Sequence, residues 1–282
     1  MHTLRRRVLA VLMVALTGVA AVACSSGGEI KTPTTVSGAQ SDGELTIGIS
    51  FDQPGLGFRD GEDYTGFDVD TATYVAQALG VPKENITWVR ADPADREKLL
   101  QDGDVDLVFS TYSITDERKE LVDFAGPYFT AHQDLLVRRN ETEITGPETM
   151  NGRVLCSVTG TTSAQYIKDN YLGRITLTEY PRFSDCVAAL ANSEVDAVTT
   201  DDVILAGFAA QDQYKGKLKV VGKGFSDEHY GVGIPKGDTE RVAQVNNALQ
   251  QYIADGSWQA SLAATVGPSG YTIPDAPMPG SS

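Results

Sequence analysis

The chain has 282 residues, 41% hydrophobic and 22% charged, with 38 acidic side chains against 23 Lys and Arg and a formal net charge of −15. That balance excludes a nucleic-acid partner and electrostatic adhesion to anionic lipid, but not a small acidic ligand, which needs only a local Arg cluster. The histidines are His2, His132 and His229 and the cysteines are Cys24, Cys156 and Cys186, a set with no zinc-ligand spacing, so neither a metal site nor a cofactor is expected.

Arg5, Arg6 and Arg7 precede an uncharged apolar run from Val8 to Ala23 that stops at Cys24. Residues 1–23 therefore read as a secretory signal, too short for a spanning helix. Ala21-Val22-Ala23-Cys24 resembles a bacterial lipobox, although that motif carries Leu where this chain has Ala21. The resemblance implies that Cys24 is lipidated, becomes the mature amino terminus and anchors the protein to the outer face of the cell membrane. An ordinary cleavage site beside a free thiol is the alternative. Loss of three Arg with residues 1–23 takes the formal charge from −15 to −18. Residues 24–43, rich in Ser, Gly, Thr and Pro, read as a flexible tether.

Strands and helices alternate from Glu44 onward. Leu45 to Ser50 predicts a strand. Val69 to Leu79 predicts a helix stopped by Gly80 and Pro82. Asp92-Pro93 pairs a cap with a first-turn proline and opens a helix through Leu99 and Leu100 to Gly103. Val105 to Phe109 predicts a short buried strand. This βαβ order implies a largely parallel sheet with a cleft at its carboxyl edge. The hydroxyls of Ser110, Thr111 and Ser113 then fall at that edge, followed by Arg118, whose planar fork of donors matches a carboxylate. Two readings stay open here: a pocket for a small acid, or a polar loop whose Arg pairs with Asp116 or Glu117.

Gly152 to Val158 predicts a strand entering Thr159-Gly160-Thr161-Thr162-Ser163, with a helix through Tyr166 and Ile167. Such a turn presents backbone N–H groups and hydroxyls, as an anion cradle or simply as a helix cap. In an exported chain Cys156 and Cys186 point to a disulfide contributing about 3 to 4 kcal/mol; two buried thiols are the alternative. The stretch Leu99 to Thr111 is echoed by Ala189 to Asp201: helix end, turn, Val-Asp, apolar strand, hydroxyls. Two halves built alike would set two strand ends across an interdomain cleft. Arg118 stands near the first end, and Asp201 and Asp202 follow the second. A ligand that needs both charges is a zwitterion, and the commonest small zwitterion is an α-amino acid. Leu135 to Arg138 and Tyr230 to Ile234 are apolar enough to be hinge crossings. The domain reading is lobe 1 over residues 44–137 and 231–267, lobe 2 over 138–230, and a disordered tail over 268–282.

Gly66-Phe67-Asp68-Val69-Asp70, Val105-Asp106-Leu107, Ile114 to Arg118 with Phe124 and Tyr128, Gly160 to Ser163, Val195-Asp196-Ala197 and Tyr230 to Gly233 stand in order over about Leu45 to Leu262. The ordered set resembles the polar amino-acid family of bacterial solute-binding proteins, the extracytoplasmic receptors of ABC importers. Phe51 to Gly57, Ala131-His132-Gln133 and Leu155 to Gly160 resemble its actinobacterial glutamate-binding lipoprotein branch. The resemblance implies a two-lobed α/β fold of the type II periplasmic-binding-protein kind, each lobe a mainly parallel sheet, with no enzymatic activity. It implies that Arg118 binds the ligand α-carboxylate and Asp201 the α-ammonium. Thr111, Ser113, Gly160, Thr161 and Thr162 would complete those contacts, and Phe58, with Phe51 as the other choice, would cover the aliphatic part. Many relatives carry Gly at the place of Thr111.

Arg96 lies in the first turn of its helix, where the dipole disfavours a cation, so something must reward it. The resemblance implies that it reads a distal carboxylate, whereas a local pair with Asp92 or Asp95 is the plain alternative. Arg59 and Arg90 are weaker candidates, and His132 is read as structural. The expected function is capture of L-glutamate, with aspartate or glutamine as weaker ligands, by a monomer that delivers it to an ABC permease and its ATPase subunit. The rival readings are a sensor signalling to a membrane kinase and a dehydratase-type enzyme on the same fold.

Overall fold

Two sheets of five strands are built from one repeated sequence pattern. A computed structural model of the chain describes residues 28–36 and 43–280. The signal segment 1–23 and Cys24 lie outside the described residues. Lobe 1 runs β1 (Leu45–Ile49), β2 (Phe58–Asp60), β3 (Asp63–Thr65), α1 (Phe67–Ala78), β4 (Ile86–Arg90), α2 (Arg96–Asp102), β5 (Leu107–Phe109), α3 (Asp116–Leu121) and β6 (Asp123–Ala131). Lobe 2 follows with β7 (Gln133–Arg138), β8 (Val154–Val158), α4 (Thr162–Tyr171), β9 (Thr176–Tyr180), α5 (Phe183–Ala191), β10 (Ala197–Asp201), α6 (Asp202–Ala210) and β11 (Leu218–Val220). The chain returns to lobe 1 with β12 (Glu228–Ile234), α7 (Thr239–Ala254) and α8 (Ser257–Thr265).

The sheet orders are β4-β1-β5-β12-β6 and β11-β7-β10-β8-β9. In each, three strands pair in parallel, β4-β1-β5 and β9-β8-β10, while β12 with β6 and β7 with β11 run antiparallel beside them. β5 and β10 are buried along their whole length, which is why both read as unbroken apolar or small-residue runs. The echo has a physical cause. Asp106 donates its N–H to the Thr46 carbonyl at 2.8 Å, and its carboxylate accepts the Thr46 N–H at 2.7 Å. Asp196 makes the same two bonds to Val154, each at 2.8 Å. In both lobes the Val-Asp pair pins the start of one parallel strand to its neighbour and so fixes the register.

The crossings lie elsewhere than the sequence predicts. Leu135 to Arg138 and Tyr230 to Ile234 are inside β7 and β12, so their apolarity is that of strands flanked on both sides, not of hinges. The chain crosses at His132, between β6 and β7, and again over residues 221–227. Residues 133–137 therefore belong to lobe 2 and residues 228–230 to lobe 1. Asp92-Pro93 does not cap α2 but forms a turn ahead of it, with Asp95 N–H on the Asp92 carbonyl, and the helix starts at Arg96.

The described parts of both flanking segments, residues 28–36 and 268–280, make fixed contacts where the composition predicts freedom. Val36 is buried in the lobe 1 core and donates its N–H to Ala78, while Lys31 N–H bonds the Ser257 hydroxyl. Residues 268–280, expected as a disordered tail, run back over the molecule. Tyr271 packs on Phe129 of β6 and its hydroxyl donates to Asp202 of α6 at 3.1 Å, and Gly280 N–H bonds the Gly126 carbonyl. One aromatic and a few backbone bonds outweigh the Pro and Gly content there.

Cys156 and Cys186 form a disulfide across a separation of 30 residues, with Cα atoms 5.6 Å apart, tying β8 to α5. Both are fully buried. Replacing both with Ala should lower the unfolding free energy by about 3 kcal/mol, since the bond restricts the unfolded chain, as read from urea denaturation curves.

Candidate ligand-binding site

The carboxyl ends of the parallel strands of both lobes face one another, the position at which open α/β sheets hold ligands. Between them lies a small cavity lined by Pro93, Arg96, Thr111, Ser113 and Arg118 from lobe 1 and by Thr161, Thr162, Ser163, Phe183, Thr200, Asp201 and Ile204 from lobe 2. The structural equivalence of the lobes extends to these residues. Arg96 begins the helix after β4 and Phe183 begins the helix after β9, while the Thr111 to Arg118 loop follows β5 and Asp201 ends β10.

Arg96 is 2% exposed. Its guanidinium donates to the carbonyls of Pro93 at 3.3 Å, Ser110 at 2.9 Å, Thr111 at 3.3 Å and Gly160 at 3.4 Å. It lies 4.3 Å from the Tyr112 ring centroid, and Arg118 lies 5.1 Å from the same ring. Arg118 donates to the carbonyls of Ser113 at 2.7 Å and Gly160 at 2.9 Å and pairs with Glu97 at 3.4 Å. Neither arginine has the local partner that sequence offers: Asp92 pairs with Arg90, and Arg118 reaches Glu97 rather than Asp116 or Glu117. Burial and the neighbouring Arg118 pull Arg96 down to about 10, so it stays charged at neutral pH.

Asp201 is 4% exposed and accepts the Tyr230 hydroxyl at 2.5 Å and the Ser163 hydroxyl at 3.5 Å. Burial, and then the Glu228 carboxylate, push its carboxyl well above the usual range. Glu228 in turn accepts from the Thr162 hydroxyl at 2.8 Å. Thr161 caps α4: its hydroxyl accepts the Ala164 N–H at 3.0 Å. The capping reading of this turn therefore holds for Thr161, which with Thr162 and Ser163 also lines the cavity.

Two glycines make this geometry possible. Gly160 has φ +82°, and a Cβ on it would lie 2.7 Å from the Ala94 Cα, so the lobe 2 turn seats directly on the Pro93-Ala94 turn of lobe 1. A Cβ on Gly233 would lie 2.8 Å from the Tyr112 ring, so β12 leaves the space in which that ring supports both arginines. Thr111 has φ 42°, a region that favours glycine, and is held there by its neighbours. Its N–H donates to Asp68 at 3.0 Å and its hydroxyl accepts from Gln53 at 3.0 Å.

Phe58 does not reach the cavity. It pairs with Thr65 in the β2-β3 hairpin, and Phe51 packs on Tyr64 under Arg59. The aromatic wall is Phe183, which sequence reasoning missed. Extending the echo back to the strand ends before each helix sets Phe183 at the place of Pro93, which also lines the cavity. His132 sits at the crossing beside Asp227 and Ser226, away from the cavity. Asp68 and Gln53, which hold Thr111, were also missed.

Two α/β lobes that meet over a cavity with cations on one wall and a carboxylate on the other define a two-lobed receptor for small charged solutes. The chain belongs to the bacterial extracellular solute-binding proteins, family 3, whose sequence profile it matches over residues 45–265. It is 42% identical over 265 residues to the glutamate-binding protein GluB of Corynebacterium efficiens, covering 89% of this chain and 87% of that protein. It is 29% identical over 227 residues to the ABC transporter glutamine-binding protein GlnH of Bacillus subtilis, covering 79% and 81%. Among solved structures, an ancestral arginine-binding protein bound to glutamine superposes with a TM-score of 0.74 at 32% identity, covering 81% of this chain and 100% of that one. These relatives are binding proteins, not enzymes.

Asp68 gives the site a pH signature. It is fully buried, and burial pushes its carboxyl up to about 6 from 3.8, against the Tyr128 hydroxyl, the Thr111 N–H and Arg96. The folded state thus binds the proton more tightly than the unfolded chain. The stability it contributes is present below pH 3.8 and is lost as pH rises through about 6. Asp68→Asn, which cannot titrate, should gain on the wild type by about 2 kcal/mol between pH 4 and pH 7, as read from urea denaturation across that range.

Proposed function

We propose that this protein captures L-glutamate in the cleft between its lobes and delivers it to an ABC import permease and its ATPase subunit. The observation that carries this reading is the placing of two arginines and one buried carboxyl group on opposite walls of the cleft. Arg118 takes the α-carboxylate and Asp201 the α-ammonium. Thr111, Ser113 and the Gly160-Thr161-Thr162 turn bound the α groups, with the first-turn amides of α4 available to the carboxylate. Arg96 takes the distal carboxylate: it is charged, buried and satisfied by carbonyls alone, so it makes no internal ion pair that a ligand must break. Phe183 covers the aliphatic part in place of the aromatic expected near Phe58. The similarity to glutamate-binding GluB supports the choice of glutamate, and that to GlnH makes glutamine the natural competitor.

The leader and Cys24 support export, with lipidation of Cys24 holding a monomer at the outer face of the cell membrane. Among the described residues no helix is long and apolar enough to cross a membrane. Micromolar affinity requires only about −8 kcal/mol in total.

Calorimetry against glutamate, glutamine, aspartate and asparagine tests the reading, and no binding of any of the four overturns it. Arg118→Ala and Asp201→Ala should each abolish detectable binding. Arg96→Ala should cut the preference for glutamate over glutamine by about 10- to 100-fold, the value of a charge-assisted bond, and an unchanged preference would assign the distal carboxylate to another group.

A further inference from the structure

Helix α5 starts without a cap of its own. Its N-cap residue is Arg182, whose side chain has no acceptor, and no side chain of its own segment caps it. The acid in its first turn, Asp185, is occupied by the guanidinium of Arg182, in two bonds of 3.0 and 2.9 Å. The partner of the first-turn amide comes instead from the other lobe. Asp52, in the loop between β1 and β2, accepts the Ser184 N–H at 2.9 Å.

This bond spans the cleft. Asp52 does not line the cavity, whereas Phe183, the residue before Ser184, does. A carboxylate at a helix N-terminus gains both a hydrogen bond and a favourable interaction with the helix dipole. When the lobes part, the Ser184 amide and the Asp52 carboxylate return to water, so neither is left buried and unpaired. The bond therefore stabilises only the closed arrangement.

We infer that Asp52 is a positioning residue that caps α5 across the cleft on lobe closure, fixing the Phe183 wall and setting how long the closed form holds its ligand. The inference rests on amino-acid capture in this cleft. Its reach is limited to the closed form, so it changes affinity for every ligand alike and leaves selectivity to the groups that touch the ligand. A ligand that closes the lobes gains by its differential affinity for that state, and the cross-lobe cap is part of the difference.

The test is calorimetry and stopped-flow dissociation on the full exported chain with each of the four amino acids above. Asp52→Ala should bind about five- to tenfold more weakly, through faster dissociation, with the ratio of glutamate to glutamine affinity unchanged. Asp52→Asn should stay within about twofold of the wild type, because Asn caps as well as Asp. The melting temperature of the ligand-free protein should be the same in all three, with only the ligand-induced rise reduced in Asp52→Ala. An Asp52→Ala protein that binds as the wild type does, or that loses stability without ligand, overturns the inference and leaves the cleft reading intact. A wild type that binds none of the four amino acids overturns both.

Discussion

The charges in the cleft are held by neutral partners rather than by one another. Arg96 rests on four carbonyl oxygens, Arg118 on two with a longer contact to Glu97, and Asp201 on the hydroxyls of Tyr230 and Ser163. Burying a charge is costly unless it is hydrogen-bonded, and these bonds lower that cost without pairing the cavity's charges with one another. The consequence is a cavity with two guanidiniums on one wall and a carboxyl group on the other. Tyr112 and Gly233 belong to the same arrangement, since the ring under both guanidiniums fits only where β12 carries no side chain.

The two lobes reach this arrangement through one plan used twice. Strands β4, β1 and β5 match β9, β8 and β10, and each set ends with its loops turned toward the other. One plan therefore yields opposite chemistry by changing only the residues at the strand ends: Arg96 against Phe183, and the Ser110 to Arg118 loop against Thr200 and Asp201. The parallel core carries the pinning aspartates, Asp106 and Asp196, which lie at the far ends of β5 and β10 and are free of any demand from the site.

That division explains what was legible in the sequence. The Val-Asp echo is visible because it does the same mechanical work in both lobes, and it set Asp201 opposite the Arg118 already marked by the first strand end. Arg96 is visible as a misfit, a cation at the wrong end of a helix. The hinges were misplaced because a strand buried between two others is as apolar as any crossing strand. Phe183 left no local signal, since an aromatic at the start of a helix reads as core. The Gly267 to Ser282 stretch has the composition of a free tail, yet a single aromatic, Tyr271, seated on Phe129 and bonded to Asp202, is a tertiary fact that composition does not encode. Thr111 holds a backbone conformation that favours glycine, and that conformation depends on Asp68 and Gln53, distant in sequence.

The same buried charges bear on why closure should await a ligand. With the lobes together, Asp201 lies beside the Glu228 carboxylate with its proton affinity raised, and Arg96 lies beside Arg118 with its own lowered. Burial is the larger cause of both shifts, ahead of like charge; Asp201 and Glu228 belong to opposite lobes and part when the lobes separate, whereas Arg96 and Arg118 both belong to lobe 1 and regain only water. In the proposed complex an ammonium offsets the first and a carboxylate the second. A ligand carrying only one of the two charges relieves one repulsion and leaves the other. In the proposed complex a zwitterion would thus lower the cost of closing as well as bond to both walls, and it would act through the closing equilibrium.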